Sequence, residues 1–141
     1  MTDGLVTTFK NTILLFFVAA VSLAPSLALA QPVLPRVVSM EVPAYPSLAR
    51  QAHVEGVVHI KITTDGHRVT RTQVEDGDKL LTKFAEDNVK TWEFQPHAPT
   101  MFTVTFRYKL TGGQDADASN PIITLRLPSE VELSCVPLEL N

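Results

Sequence analysis

The four histidines are the side chains whose type and spacing could form a metal site. They are His53, His59, His67 and His97, and none of them makes the i, i+4 pair of a helical zinc site or an H-x-H pair on a strand. No Asp or Glu recurs beside them at the spacing of metal ligands. The sequence therefore predicts no metal site and four histidines that make ordinary surface contacts.

The sequence also lacks the motifs of nucleophilic, redox and phosphate-binding sites. It contains no G-x-S-x-G run and no Gly-rich phosphate loop. The single cysteine, Cys135, excludes an internal disulfide and a Cys-X-X-Cys pair, and its alternation with Val131 and Leu133 predicts a buried thiol. We therefore expect no catalytic residue and no cofactor, and we predict that the protein is not an enzyme.

The composition describes a chain with one folded domain and a short appendage. Its 141 residues are too few for two domains of ordinary size. With 12 Lys and Arg against 15 Asp and Glu, the net charge is −3, which argues against a nucleic-acid partner because such a surface must neutralise phosphates. The 45% of hydrophobic residues is enough to form a packed core.

Residues 1–30 have the order of a secretory leader. A basic Lys10 is followed by an apolar run and then by the small-residue ending Ala28-Leu29-Ala30. This order predicts a signal peptide that is cut after Ala30. An uncleaved membrane anchor is the alternative, because the 19 residues from Thr12 to Ala30 approach the roughly 20 that span a bilayer. In both cases the rest of the chain lies outside the cytoplasm.

The next elements are an extended lead-in, a short helix and a hairpin. Residues 31–43 hold three prolines and form the lead-in, and a short helix follows Tyr45-Pro46. Residues 57–64 alternate as a half-buried strand, and Asp65-Gly66 marks a turn into a second strand. Because the alternative two-residue turn brings polar side chains to the buried face, we predict a three-residue bulged loop over 65–67.

The predicted loop also fixes the register of the hairpin. It pairs Ile60 with Thr72 and Val58 with Val74, which keeps apolar side chains on one face. Further along, Gly77-Asp78 offers an N-cap for an amphipathic helix over 79–91. A third strand alternates from 102 to 110, and the predicted core consists of Ile60, Ile62, Leu81, Phe84, Val89, Trp92 and Phe94.

The remaining residues form a loop and a C-terminal extension. Residues 111–121 are rich in Gly, Asp, Ser and Ala and predict a loop. Residues 122–141 contain two more alternating runs and predict a C-terminal β extension of one or two strands. Since the apolar face of this extension is a poor surface to leave in water, we expect it to lie against the domain and to cover part of the edge of the third strand.

The order of the motifs resembles the C-terminal domain of TonB over residues 44–110. The resemblance rests on Tyr45-Pro46-x-x-Ala49-Arg50, then Gly56, the Asp65-Gly66 turn, and the helix that ends in Trp92-x-Phe94-x-Pro96. It implies an α+β fold: a small three-stranded antiparallel sheet packed against a short N-terminal helix and one longer helix. The one or two C-terminal strands are additional to that fold.

The resemblance also implies a partner and a site. In this family the domain lies in the periplasm and binds a short segment, the TonB box, of outer-membrane transporters by strand addition along its final strand. Carried onto this chain, the peptide-binding residues are Tyr45, Pro46, Arg50, Phe102, Thr103, Val104, Thr105, Phe106, Arg107, Tyr108 and Lys109. Metal and catalytic residues are not implied.

Two functions are compatible with these observations. The first is a periplasmic or secreted TonB-like binding module that recognises an extended peptide, such as a segment of an outer-membrane transporter, by strand addition. The alternative is a structural envelope protein that associates with itself as a homodimer, because an exposed strand edge pairs with any compatible strand. A membrane is involved only if the leader is retained.

The leader makes the first testable prediction. Expressed in an exporting Gram-negative host, the protein should be found in the soluble periplasmic fraction, with an intact mass that starts at Gln31. Intact-mass spectrometry of the purified protein measures this. A mass that retains residues 1–30, together with recovery in the membrane fraction, supports the anchor instead.

Overall fold

The structure, a computed structural model, describes residues 33–112 and 120–139. The predicted leader and most of the predicted loop over 111–121 lie outside these residues. The elements, in chain order, are β1 (Val37–Ser39), α1 (Ser47–Gln51), β2 (Gly56–Thr64), β3 (Val69–Asp76), α2 (Lys79–Val89), β4 (Glu93–Phe94), β5 (Thr100–Leu110), β6 (Ile122–Arg126) and β7 (Glu130–Cys135). Within the described ranges, neither helix has the length and apolar character needed to cross a membrane.

The strands form one sheet of five and one small ribbon. The order in the larger sheet is β3-β2-β5-β7-β6, and the ribbon pairs β1 with β4. The fold is thus α+β, as predicted, and the antiparallel trio β3-β2-β5 is its centre. The expectation of a three-stranded sheet is corrected, because β7 joins the trio parallel to β5 and β6 then pairs antiparallel with β7.

The register of the β2–β3 hairpin differs from the predicted one. Ile60 pairs with Val74, and Ile62 pairs with Thr72. The predicted pairings of Ile60 with Thr72 and of Val58 with Val74 are therefore wrong by two residues. Because side chains alternate with a period of two, a shift of two keeps each of them on its predicted face.

The loop of the hairpin explains this shift. It extends to Arg68, one residue further than predicted, and is closed by the Asp65 N–H, which donates to the Arg68 carbonyl at 3.1 Å. The Asp65 carboxylate accepts the N–H groups of Arg68 and His67 at 2.8 and 2.9 Å, and these bonds lower its pKa. Thr70 is an extra, exposed residue, because its two neighbours pair with consecutive residues of β2.

Helix α2 begins where the sequence predicts. The Asp78 side chain accepts the Leu80 N–H at 2.8 Å, which satisfies one of the free donors of the first turn. The helix ends at Val89, two residues before the predicted end, and its buried face is formed by residues at helical spacing: Leu81, Ala85, Asn88 and Val89.

The core lies between this helix and the sheet. The predicted core residues that have no exposed surface are Ile60, Ile62, Leu81, Val89, Trp92 and Phe94. The prediction that Phe84 belongs to the core is wrong, because 47% of this residue is exposed. Phe84 lies beside the buried face of α2 that Leu81, Ala85 and Val89 form. Together with Leu48 it lines a groove between α1 and α2.

Trp92 joins the end of α2 to the sheet. Its indole N–H donates to the Asn88 Oδ1 at 3.0 Å, and the Asn88 amide donates to the Glu41 carbonyl at 2.9 Å. Its ring lies 6.3 Å from that of Phe94 and 6.4 Å from that of Phe106, between ring centroids. The buried polar atoms are thus paired while the aromatic surface is removed from water.

The aromatic cluster gives a stability prediction. Trp92→Ala or Phe94→Ala should lower the free energy of unfolding by about 3–5 kcal/mol, because each leaves a cavity in a closed core. Phe84→Ala is the matched control and should cost only about 1 kcal/mol, because nearly half of that ring is already in water. Urea unfolding followed by circular dichroism measures all three variants, and equal losses contradict this account of the core.

Candidate functional site

Strand β5, which carries most of the predicted peptide-binding residues, has a neighbour on each side. β2 pairs antiparallel with it from Thr100 to Tyr108. On the other side, Thr105 to Leu110 pair in parallel with Glu130 to Cys135 of β7. The edge that the family resemblance assigns to a partner is therefore occupied over six residues by a strand of the same chain.

The backbone of β5 shows which peptide groups face that edge. The Thr105 N–H donates to the Ser129 carbonyl at 2.9 Å, and the Thr111 N–H donates to the Cys135 carbonyl at 2.8 Å. Because successive peptide groups alternate between the two sides of a strand, those of Met101 and Thr103 face the same side. Among the described residues, the pairing with β7 begins only at Thr105, so residues 100–104 of β5 lie before the first residue of β7 and continue this edge.

The side chains of β5 alternate between the core and the solvent. The first group packs in or against the core and consists of Phe102, Val104, Phe106 and Tyr108. The second group lies on the opposite face of the strand and consists of Thr103, Thr105, Arg107 and Lys109. A strand added beside β5 therefore contacts the first group with its own core-facing side chains. It contacts the second group with the side chains on its opposite, polar face.

Two cations of the second group contact acidic residues of β7. The Arg107 Nε lies 3.2 Å from the Glu130 Oε1, and the Lys109 Nζ lies 3.1 Å from the Glu132 Oε2. Arg126 of β6 also contacts Glu130, at 3.0 Å. Arg107 and Lys109 are about half exposed and Arg126 more so, so water weakens these ion pairs and they contribute little to stability.

The opposite face of β7 supplies the apolar contacts. Val131 and Leu133 have no exposed surface, and Cys135 is 4% exposed. In the parallel register they stand beside Phe106, Tyr108 and Leu110 of β5. Burial of these apolar side chains accounts for most of the attraction between β7 and the sheet. Burial of the Cys135 thiol also raises its pKa.

Tyr45 and Pro46 are both buried, and Tyr45 packs against the core-facing side of β5. The Tyr45 ring packs edge-on against Tyr108, with 5.2 Å between centroids, and its hydroxyl donates to the Val54 carbonyl at 2.7 Å. Desolvation, together with the nearby Glu55, raises the pKa of Tyr45 to about 12. Pro46 is buried and is the N-cap of α1 rather than a residue of its first turn.

Arg50 reaches the chain beyond β7. Its Nε donates to the Val136 carbonyl at 2.9 Å, from the last turn of α1. Glu55 contacts the same end of β5, where its carboxylate accepts the Leu110 N–H. Arg50 and β5 therefore both contact the same segment, which is residues 130–136 of this chain.

Sequence reasoning missed the acidic half of this arrangement. Glu130 and Glu132 were not among the predicted site residues, although their alternation with apolar residues is visible in the sequence. A basic pair at i, i+2 in one strand and an acidic pair at i, i+2 in another was the signal that could have matched them. Among the described residues, no three His, Cys, Asp or Glu side chains are grouped to hold a metal.

Comparison with models of known protein families identifies the family of this domain. A family model described as the Gram-negative bacterial TonB protein C-terminal matches residues 41–111, which is half of the chain. The matched span runs from just before α1 to just after β5, and β6 and β7 lie beyond it. No curated protein matches the chain.

The contact between Arg50 and Val136 predicts a local effect. Arg50→Ala should destabilise the β7 segment by about 1 kcal/mol, which raises its amide hydrogen exchange about fivefold. The amides of β2 should keep their protection. Arg68→Ala is the control, because it removes an arginine from an exposed pair with Glu93. Equal exchange of residues 131–135 in the wild type and in Arg50→Ala contradicts the role given to Arg50.

Proposed function

The chain belongs to the TonB C-terminal family, and on this premise we propose that it binds an extended segment of a partner protein as an added strand on β5. Domains of this family are periplasmic protein-interaction modules of Gram-negative bacteria, and their partners include outer-membrane transporters. The family is not one of enzymes. The proposed partner is accordingly a transporter segment exposed to the periplasm.

The observation that carries this proposal is the parallel pairing of β7 with β5. An edge that accepts six residues of this chain in a regular ladder has the geometry to accept six residues of another chain. The partner segment takes the place of β7, because the two strands need the same N–H and C=O groups. The peptide groups of Met101 and Thr103 offer the partner a first contact that β7 does not use.

The energetics favour reversible binding. Five or six hydrogen bonds at about 1 kcal/mol net each offset only the low end of the 1–2 kcal/mol per residue that is lost when six residues of an extended peptide are ordered. The resident β7 is also tethered nearby and competes at a high effective concentration. Side-chain contacts must supply the remaining affinity, so the proposed complex is transient and selective.

A second candidate function is self-association through β6. This strand ends the sheet, and its Ile122 and Leu125 are 69% and 46% exposed. An apolar edge strand of this kind pairs with a second copy of itself unless charges prevent it. The resulting homodimer would fit a structural role in the envelope.

Strand addition to β5 can be tested with backbone-modified peptides. Seven-residue transporter segments are synthesised in two forms, N-methylated at odd or at even positions, and titrated against 15N-labelled mature protein. Only one form can keep the donors that face β5, so the two should differ in affinity by at least about tenfold. The unmodified segment should shift the amide signals of Thr105, Arg107 and Lys109.

The controls separate the two candidates. If both methylated forms bind as tightly as the unmodified segment, binding is not strand addition. Sedimentation without peptide should give a monomer. A dimer that is lost in Leu125→Lys, with no binding of any transporter segment, supports self-association instead.

A further inference from the structure

The acidic residues of β7 are spaced to match the cations of β5. Glu130 and Glu132 stand two residues apart on one strand, and Arg107 and Lys109 stand two residues apart on the other. In the parallel register Arg107 is opposite Glu132, yet its ion pair is with Glu130. Lys109 repeats this diagonal, since it is opposite Ser134 and pairs with Glu132.

A repeated diagonal fixes the register of the added strand. If the strand slides by two residues, one cation loses its acidic contact, and if it slides by one, the carboxylates turn towards the core. The two cations thus distinguish among strands that form the same number of backbone hydrogen bonds.

The core face of β7 adds a second requirement. Its three inward positions hold Val131, Leu133 and Cys135, all nearly or fully buried. The last of them lies near Tyr45 and Arg50, which both interact electrostatically with its thiol. That position is filled by a small side chain, while the first two hold branched aliphatic ones.

We propose that β7 is a resident copy of the partner strand, and that the β5 edge selects a segment with acidic residues at the positions of Glu130 and Glu132 and apolar residues at those of Val131 and Leu133. This inference rests on the proposed function and names its class of partner. The selected segment is acidic, alternating and parallel to β5, and a small residue follows at the position of Cys135.

The charged pairs contribute more to selectivity between segments than to affinity. Each pair is partly exposed, so matching an acidic residue gains little affinity, but a basic residue at the same position faces a like charge. Two such positions together should separate an acidic segment from its basic twin by about tenfold. High salt should reduce this ratio, because the pairs lie within reach of the solvent.

The experiment uses two peptides of residues 129–136, each with Cys135→Ser. The first keeps both glutamates, and the second carries Glu130→Lys and Glu132→Lys. The full-length protein with these same two lysine substitutions is the receptor, because its own β7 is then repelled by Arg107 and Lys109. Fluorescence anisotropy of labelled peptide should show the glutamate form binding about tenfold tighter to this receptor than to the wild type, and about tenfold tighter than the lysine form.

Three further receptors serve as controls. Glu86→Lys with Asp87→Lys makes the same change of net charge on α2 and breaks surface ion pairs there, so it should bind the glutamate peptide no better than the wild type. Adding Arg107→Glu and Lys109→Glu to the first receptor restores opposite charges between β5 and β7, and should abolish the gain. The neutral pair Glu130→Gln and Glu132→Gln should give an intermediate gain in a less perturbed chain.

The outcomes separate this inference from the proposed function. Equal affinity of the two peptides, or an equal gain in the α2 control, overturns the charge pattern even if transporter segments bind. Binding of the glutamate peptide with the expected ratios supports the pattern, even if no transporter segment binds and the proposed function fails. If neither peptide binds to the receptor with Glu130→Lys and Glu132→Lys or to the receptor with Glu130→Gln and Glu132→Gln, β7 is not a copy of a partner strand and the inference is wrong.

Discussion

The pairing of β7 with β5 is the interaction on which the rest of the arrangement depends. Without it, the central strand would expose its peptide groups along one side, and the apolar faces of Phe106 and Tyr108 would be open at that edge. β7 covers both at once, because its backbone completes the ladder while Val131 and Leu133 complete the core. Arg50 then holds the chain just beyond β7 through the Val136 carbonyl.

This pairing moves the open edge rather than removing it. β6 becomes the last strand of the sheet, and its apolar side chains are only partly covered. A partner that replaces β7 thus competes with an intramolecular strand, and β6 loses its own support when that happens. The matched family span ends at residue 111, so the competing hairpin is built from the part of the chain beyond it.

Local chemistry predicted the parts of the fold that depend on neighbouring residues. The Asp78 cap, the buried stripe of α2 and the place of Trp92 follow from capping geometry and periodicity. The hairpin register did not, because a shift of two residues satisfies the same apolar pattern, and only the longer Asp65 loop together with the extra residue Thr70 decides between the two registers. The prediction that Phe84 is buried was wrong for a related reason, since a residue at the border of an amphipathic stripe is buried only if a neighbouring element covers it. The direction of β7 was also beyond the sequence, because alternation is identical in parallel and antiparallel strands.

The most direct test of this account is a pair of nuclear Overhauser measurements on the full-length protein, with and without the acidic peptide in excess. Without peptide, contacts between protons of Phe106 and Val131 and between those of Tyr108 and Leu133 should follow the parallel register. With unlabelled peptide bound to the 13C-labelled protein, these contacts within the protein should disappear while those between β2 and β5 remain. Contacts between β5 and β7 that persist in a saturated complex contradict the claim that the partner takes the place of β7.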